Sequence, residues 1–204
     1  STTYISGEME KPYDLIHNIR MKVSDLMGHC VVNTPFDENE PIEVDECYPY
    51  FETGNGPNFN YKRSIYSERC AMVVSFVQRN GICKAFVRQE KNVHEVKNLF
   101  LDYAPKGNTY YTDSSNLYLF LQYNGFDKHA VVNHKKGEFA RGIVHTNTVE
   151  GFNSYIKTCL HRILKGVTFE RMQSYLNNLS FNLSFDNHSS YEAFDLILKS
   201  LPPF

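Results

Sequence analysis

The sequence predicts an α/β fold, a mixed sheet flanked by helices on both faces with extra C-terminal helices. Three observations predict it. Strand-like runs joined by short turns come first, helix-like and strand-like runs then alternate, and the last third of the chain is helical throughout. At 204 residues and 42% hydrophobic composition, the chain is long enough for one well-buried core.

The elements follow in order. In "KPYDLIHNIRMKVSDLMGH" (11–29), Leu15, Ile19, Val23 and Leu26 recur at helical spacing, with Pro12 suited to a first turn. "NTPFDENEP" breaks the pattern, so a helical N-terminal segment over 1–32 is followed by a linker over 33–41 and a core over 42–204. "IEVDECYPYF" alternates like a strand, Ile42 and Val44 on one face and Glu43 and Asp45 on the other. The Gly- and Asn-rich residues 52–64 read as a loop. "RCAMVVSFVQ" (69–78) and "ICKAFVRQ" (82–89) are two strands whose intervening "RNG" has the Asn-Gly signature of a tight hairpin. "VHEVKNLFLDYA" (93–104) has helical spacing and stops at Pro105. "NTYYTDSS" (108–115) reads as a short strand running into a cap, "NLYLFLQYNG" as a helix stopped at Gly125, and "HAVVNH" (129–134) as a short buried strand. After a basic loop, helices span about 146–164, 168–184 and 191–200. A ribonuclease-H-like fold has this order of elements, as do other α/β folds.

Composition narrows the class. No stretch reaches the eighteen or more apolar residues of a membrane span, and residues 1–30 lack the apolar centre of a signal peptide. Five cysteines, none in a C-x-x-C pair, suit free thiols in a reducing intracellular compartment rather than a disulfide frame or zinc knuckle. The three N-x-S sequons at Asn178, Asn182 and Asn187 then read as chance. The net charge of −2 does not announce a nucleic-acid binder. Its distribution says more: "DENEPIEVDE" (37–46) is strongly acidic, whereas Lys135, Lys136, Arg141, Lys157, His161, Arg162, Lys165 and Arg171 give the later region a basic bias able to bind phosphate.

Three carboxylates stand at telling places on this map. Asp45 lies within the first strand, Asp113 at the end of the fourth, and Glu150 in the first turns of the helix that follows. Neighbouring first and fourth strands would bring the aspartates together, and a helix packed beside them would add the glutamate. Such a trio repels itself unless cations sit between its members, and hard Mg²⁺ or Mn²⁺ is the natural occupant. Two such ions can activate a water or sugar hydroxyl and stabilise the leaving oxygen of a phosphoryl displacement. Each residue alone also has an ordinary reading: an acidic strand position, a helix cap beside Ser114 and Ser115, a partner for a helix dipole. On the last helix Glu150, Ser154, Lys157 and His161 form a polar stripe opposite Val149, Phe152, Ile156, Leu160 and Ile163.

The segments "YTDSSNLY", "VVNHKKGEF" and "HTNTVEGFNSYIK", together with Val44-Asp45-Glu46-Cys47-Tyr48, resemble the catalytic core of the ISXO-like insertion-sequence transposases and their eukaryotic relatives, the Merlin DNA transposases. The likeness runs over about residues 11–185 and is most specific from 129 to 157. It implies a DDE transposase in which Asp45, Asp113 and Glu150 hold two Mg²⁺ or Mn²⁺ ions and catalyse cleavage at transposon ends and strand transfer into target DNA. Thirty-six residues between Asp113 and Glu150 match compact DDE enzymes without a large insertion domain. The resemblance further implies double-stranded DNA as partner, contacted by Lys157, His161, Arg162, Lys135, Lys136, Lys62 and Arg63, and a homodimer or larger assembly on it. His134, His145 and Asn147 match motif positions and are expected to position ligands or DNA, although Thr146 or Asn147 could simply cap the helix. Residues 4–26 would be the remnant of a helix-turn-helix. Such a protein would work in the nucleus of a eukaryote or the cytoplasm and nucleoid of a bacterium.

Two departures stand out. The family often has Trp where this chain has Asn153, and a Gly-Gly-basic turn where it has "PYFETGNGPNFNYKR". Three other readings share these residues: a host-recruited, transposase-derived DNA-binding protein that moves nothing, a hydrolytic nuclease of the same fold, and a structural or interaction domain whose carboxylates are solvated or paired with lysines.

Overall fold

The computed structural model describes residues 1–50, 70–164 and 167–201, with the side chains of Lys135, Arg162 and Ile163 excepted. The predicted loop over 52–64, and Lys62 and Arg63 with it, lie outside the described residues.

A five-stranded sheet runs β3-β2-β1-β4-β5, built from β1 (Ile42–Cys47), β2 (Met72–Gln78), β3 (Cys83–Arg88), β4 (Tyr110–Asp113) and β5 (His129–Val132). β1, β2 and β3 are antiparallel, while β4 and β5 lie parallel to β1. This is the ribonuclease-H-like sheet. Every residue of β2 is buried, as expected of an apolar run between two strands and under helices on both faces. The hairpin between β2 and β3 turns at Asn80 with φ 53°, a backbone state that asparagine tolerates better than most residues.

Helices cover both faces. On one side α2 (Tyr13–Asn33), α3 (Val93–Tyr103) and α6 (Ser190–Lys199) bury Val31, Phe100 and Ile197 against Ile42, Val44, Phe76 and Tyr110. On the other, α4 (Asn147–Thr158) and α5 (Phe169–Ser184) bury Val149, Phe152, Ile156, Met172 and Leu176 against Cys47, Val73, Val77 and Ala85. Each fully buried Phe or Ile contributes roughly 1.5–3 kcal/mol, so Phe152 and Ile156 alone hold α4 firmly to the sheet.

Several sequence expectations need correction. The apolar stripe Leu15, Ile19 and Val23 is exposed on α2; the buried side is Ile16, Ser24, Gly28, Cys30 and Val31. The close approach of α5, whose Asn177 side chain sits over Gly28, selects this small-residue side. A further helix, α1 (Thr2–Glu8), precedes α2. Residues 116–123 form a 3₁₀-helix rather than an α-helix. "HAVVNH" is not a wholly buried strand: β5 is the sheet edge, only Val132 is buried, and His134 already begins a 3₁₀ turn over 134–136. The basic loop contains a small hairpin, β6 (Ala140–Arg141) and β7 (Val144–His145), reversing at Gly142 with φ 61°. The helix expected over 146–164 is α4 followed by a π-helical turn over Cys159–Ile163.

Candidate active site

β1 and β4 are neighbours, with Ile42 opposite Tyr110 and Glu43 opposite Tyr111. Carried two residues onward, this register brings Asp45 level with Asp113. Alternation puts both on the face covered by α4. Cys47, two residues beyond Asp45, packs there with Val149 and Phe152. Tyr111, two residues before Asp113, lies there beneath the Arg79 guanidinium at 5.4 Å.

Asp45 Oδ2 accepts a hydrogen bond from Asn153 Nδ2 at 3.0 Å, and Asp113 Oδ1 accepts one from the Ser115 backbone N–H at 2.8 Å. Burial, with the Glu46 and Asp113 carboxylates nearby, pushes Asp45 up to about 7 against the opposing pull of Asn153. Burial and Asp113 also raise Glu46, whose Oε2 accepts from the Tyr118 hydroxyl at 2.5 Å. Among the described residues no lysine, arginine or histidine forms an ion pair with Asp45, Glu46 or Asp113. Crowded oxygen donors without a basic partner are a chemically suitable setting for a divalent cation.

Glu150 occupies the first turn of α4 but does not join that pair. Its Oε1 accepts from the Thr146 hydroxyl at 2.7 Å and lies 3.6 Å from His134 Nε2. Among the described residues no three His, Cys, Asp or Glu side chains are grouped closely enough to hold a metal ion. The Glu150 side chain is 44% exposed, so rotation about its own bonds is open to it.

The cap of α4 comes from elsewhere. Thr146 stands at the N-cap but makes no side-chain cap bond, because its hydroxyl is turned to Glu150. Glu43 of β1 replaces it, accepting from the backbone N–H groups of Thr148 at 2.8 Å and Val149 at 3.1 Å, and from the Thr148 hydroxyl at 3.0 Å. Fully buried, Glu43 also pairs with Arg79 Nε at 2.6 Å and faces His145 Nδ1 at 3.3 Å. Arg79 in turn donates to the Ile143 carbonyl at 2.8 Å. The strand carrying Asp45 is thereby fastened to the helix carrying Glu150. Sequence reasoning missed Glu43, Arg79, Ser75, Asn153 and Tyr118, whose partners are all remote in the chain. The sequence signals were a charged Glu43 on the same strand face as Asp45, and Asn153 standing where the family often has Trp.

Of the other expected residues, His134 lies near Glu150 and stacks obliquely with Phe139 at 5.3 Å between ring centroids. Asn147 is exposed at the first turn of α4. Lys157 is exposed in its last turn, His161 is exposed one turn further with its ring 6.3 Å from that of Tyr50, and Lys136 is exposed beside the β6–β7 hairpin. Lys135 and Arg162 have described backbones only.

The whole is a ribonuclease-H-like α/β core with an acidic strand pair facing a helix that begins near a third carboxylate. The ISXO2-like transposase domain matches residues 38–183, and the chain belongs to that family. No curated protein matches it. Among solved structures the chain is similar to one described as the crystal structure of a pre-cleavage Mos1 transpososome, at 6% identity and a TM-score of 0.40, covering 100% of this chain and 75% of that one. No helix among the described residues is long and apolar enough to cross a membrane.

Proposed function

We propose that this chain is the catalytic core of a DDE transposase, close to the insertion-sequence enzymes and their Merlin relatives, which cleaves DNA at transposon ends and joins the freed 3′-OH to target DNA. The observation that carries the reading is the Asp45–Asp113 pair: two carboxylates on adjacent parallel strands, crowded by Glu46 and, among the described residues, without a basic partner. Asp45, Asp113 and Glu150 are the residues that would hold Mg²⁺ or Mn²⁺, which when bound polarises the scissile phosphodiester and activates the attacking oxygen.

The chain's own groups do the rest. Glu43 keeps the start of α4, the helix that carries Glu150, beside β1, the strand that carries Asp45. Thr146 and His134 hold Glu150 aside meanwhile. Lys157, His161 and Lys136 give the same region exposed basic character suited to a DNA backbone, with Lys135, Arg162, Lys62 and Arg63 as further candidates. Paired ends require a homodimer or larger assembly on DNA.

The test is incubation with duplexes carrying the transposon terminal repeat and Mn²⁺ or Mg²⁺. Nicked ends plus joined products are expected from wild type, with both lost in Asp45→Asn, Asp113→Asn and Glu150→Gln. Cutting without joining would turn the assignment to a nuclease, and binding without cutting would leave only a DNA-binding role.

A further inference from the structure

We infer that Asn153, with its amide locked by Ser75, is a positioning residue that fixes the orientation of the Asp45 carboxylate toward a bound divalent ion. The inference rests on the reading of Asp45 as a metal ligand. Ser75 sits in mid-β2, opposite Asp45 in the antiparallel register, and Asn153 lies on the α4 face that covers both. Ser75 is 0% exposed and Asn153 is 2% exposed. The Ser75 hydroxyl donates to Asn153 Oδ1 at 2.7 Å, and Asn153 Nδ2 donates to Asp45 Oδ2 at 3.0 Å.

Once Asp45 is ionised, the state in which it can ligate a cation, the direction of this relay is forced. An ionised carboxylate only accepts hydrogen bonds, so the amide must present its NH₂ to Asp45. Its oxygen then faces β2, and Ser75 must be the donor there. The result is a single amide orientation, set from one side by the sheet and from the other by the carboxylate.

Packing alone does not account for the pair. The flanking residues on the same faces are apolar, Val73 and Val77 on β2 and Val149, Phe152 and Ile156 on α4. Two polar side chains there carry a desolvation cost that apolar residues of similar volume would avoid. Among the described residues their chain of hydrogen bonds ends at the Asp45 carboxylate. Groups that hold a ligating carboxylate through its second oxygen commonly alter metal affinity by roughly 10–100-fold.

The experiment is Mn²⁺ titration of the chain, reading free Mn²⁺ by electron paramagnetic resonance, with circular dichroism confirming that each variant is folded. Wild type is compared with Asp45→Asn, Ser75→Ala, the near-isosteric Asn153→Leu, and the Ser75→Ala/Asn153→Leu double variant. Asp45→Asn is expected to lose the site, and Asn153→Leu to weaken it by roughly 10–100-fold. Ser75→Ala should weaken it less, and the double variant should be no weaker than Asn153→Leu, because Ser75 acts only through the amide. A merely structural pair would lower the melting temperature and leave Mn²⁺ affinity unchanged; that result overturns the inference while Asp45 stands as a ligand. Independent, additive losses from Ser75 and Asn153 overturn it too. If Asp45→Asn binds Mn²⁺ like wild type, the metal reading of Asp45 falls, and the positioning role with it.

Discussion

Asp45 is the residue at which stability and function pull in opposite directions. Its carboxyl is raised to about 7 by burial and by Glu46 and Asp113, whereas an unfolded aspartate titrates near ~3.9. The folded state therefore holds the proton more tightly. The stability linked to this group is fully present below the unfolded value and is lost as pH rises through about 7. Without metal, Asp45→Asn should melt several degrees above wild type at pH 8, with the gap narrowing steadily as pH falls to 4.5, by scanning calorimetry across that range. Adding Mn²⁺ should reverse the order at pH 8, since only wild type gains a bound cation. An Asp45→Asn melting curve that tracks wild type at every pH would show that the carboxylate is not under strain.

At the scale of elements, the junction of β1 with α4 depends on Glu43. Glu43→Gln removes the charge that holds Arg79 and caps α4, leaving a partly buried guanidinium without its partner. Breaking such a pair costs ~3–5 kcal/mol, and the low end applies because Arg79 is partly exposed. Urea unfolding should show the loss, and DNA cleavage should fall more steeply than stability because α4 carries Glu150. On the opposite face, β3 supplies Lys84, whose Nζ donates to the Val32 carbonyl at 2.9 Å in the last turn of α2 and lies 4.4 Å from the Phe36 ring. Burial pushes its ammonium down to about 8. With the folded value below the unfolded one, the linked stability is present above the unfolded value and lost as pH falls through about 8. Wild type should therefore gain stability between pH 8 and 10 relative to Lys84→Met, whose melting profile lacks that component.

Across the whole molecule, the packing of α2 on α5 joins the N-terminal helix to the core. A Cβ at Gly28 would fall 2.3 Å from Asn177 Cγ, inside contact distance of a side chain already bonded to Gln173. Gly28→Ala should destabilise by roughly 1–3 kcal/mol despite its better helix propensity. Pairing it with Asn177→Ala should recover most of that loss; no recovery in thermal unfolding would place the strain elsewhere. Because Cys30 and Val31 belong to the same apolar cluster as the sheet, α2 should unfold together with β1–β3 in hydrogen exchange.

Local pattern was enough for the sequence to determine the strands around Asp45 and Asp113, the hairpin at Asn80, the buried face of α4 and the mixed sheet between helical layers. These features follow from periods of two and 3.6 residues and from turn chemistry, which neighbouring residues dictate. The same logic failed on α2, where the most apolar stripe faces outward and Gly28 faces inward, because the choice depends on how closely α5 approaches. It was blind again at the helix start, where the neighbouring Thr146 or Asn147 offered a local cap for α4 and Glu43, from a strand far earlier in the chain, supplies it instead. The pairing of Asp45 with Asn153, the link from Asn153 to Ser75 and the turning of Glu150 toward Thr146 were likewise decided only in three dimensions. The physical reason is common to all of them: a buried polar group must find a partner, and the partner's identity is fixed by which elements the sheet order brings together, not by spacing along the chain.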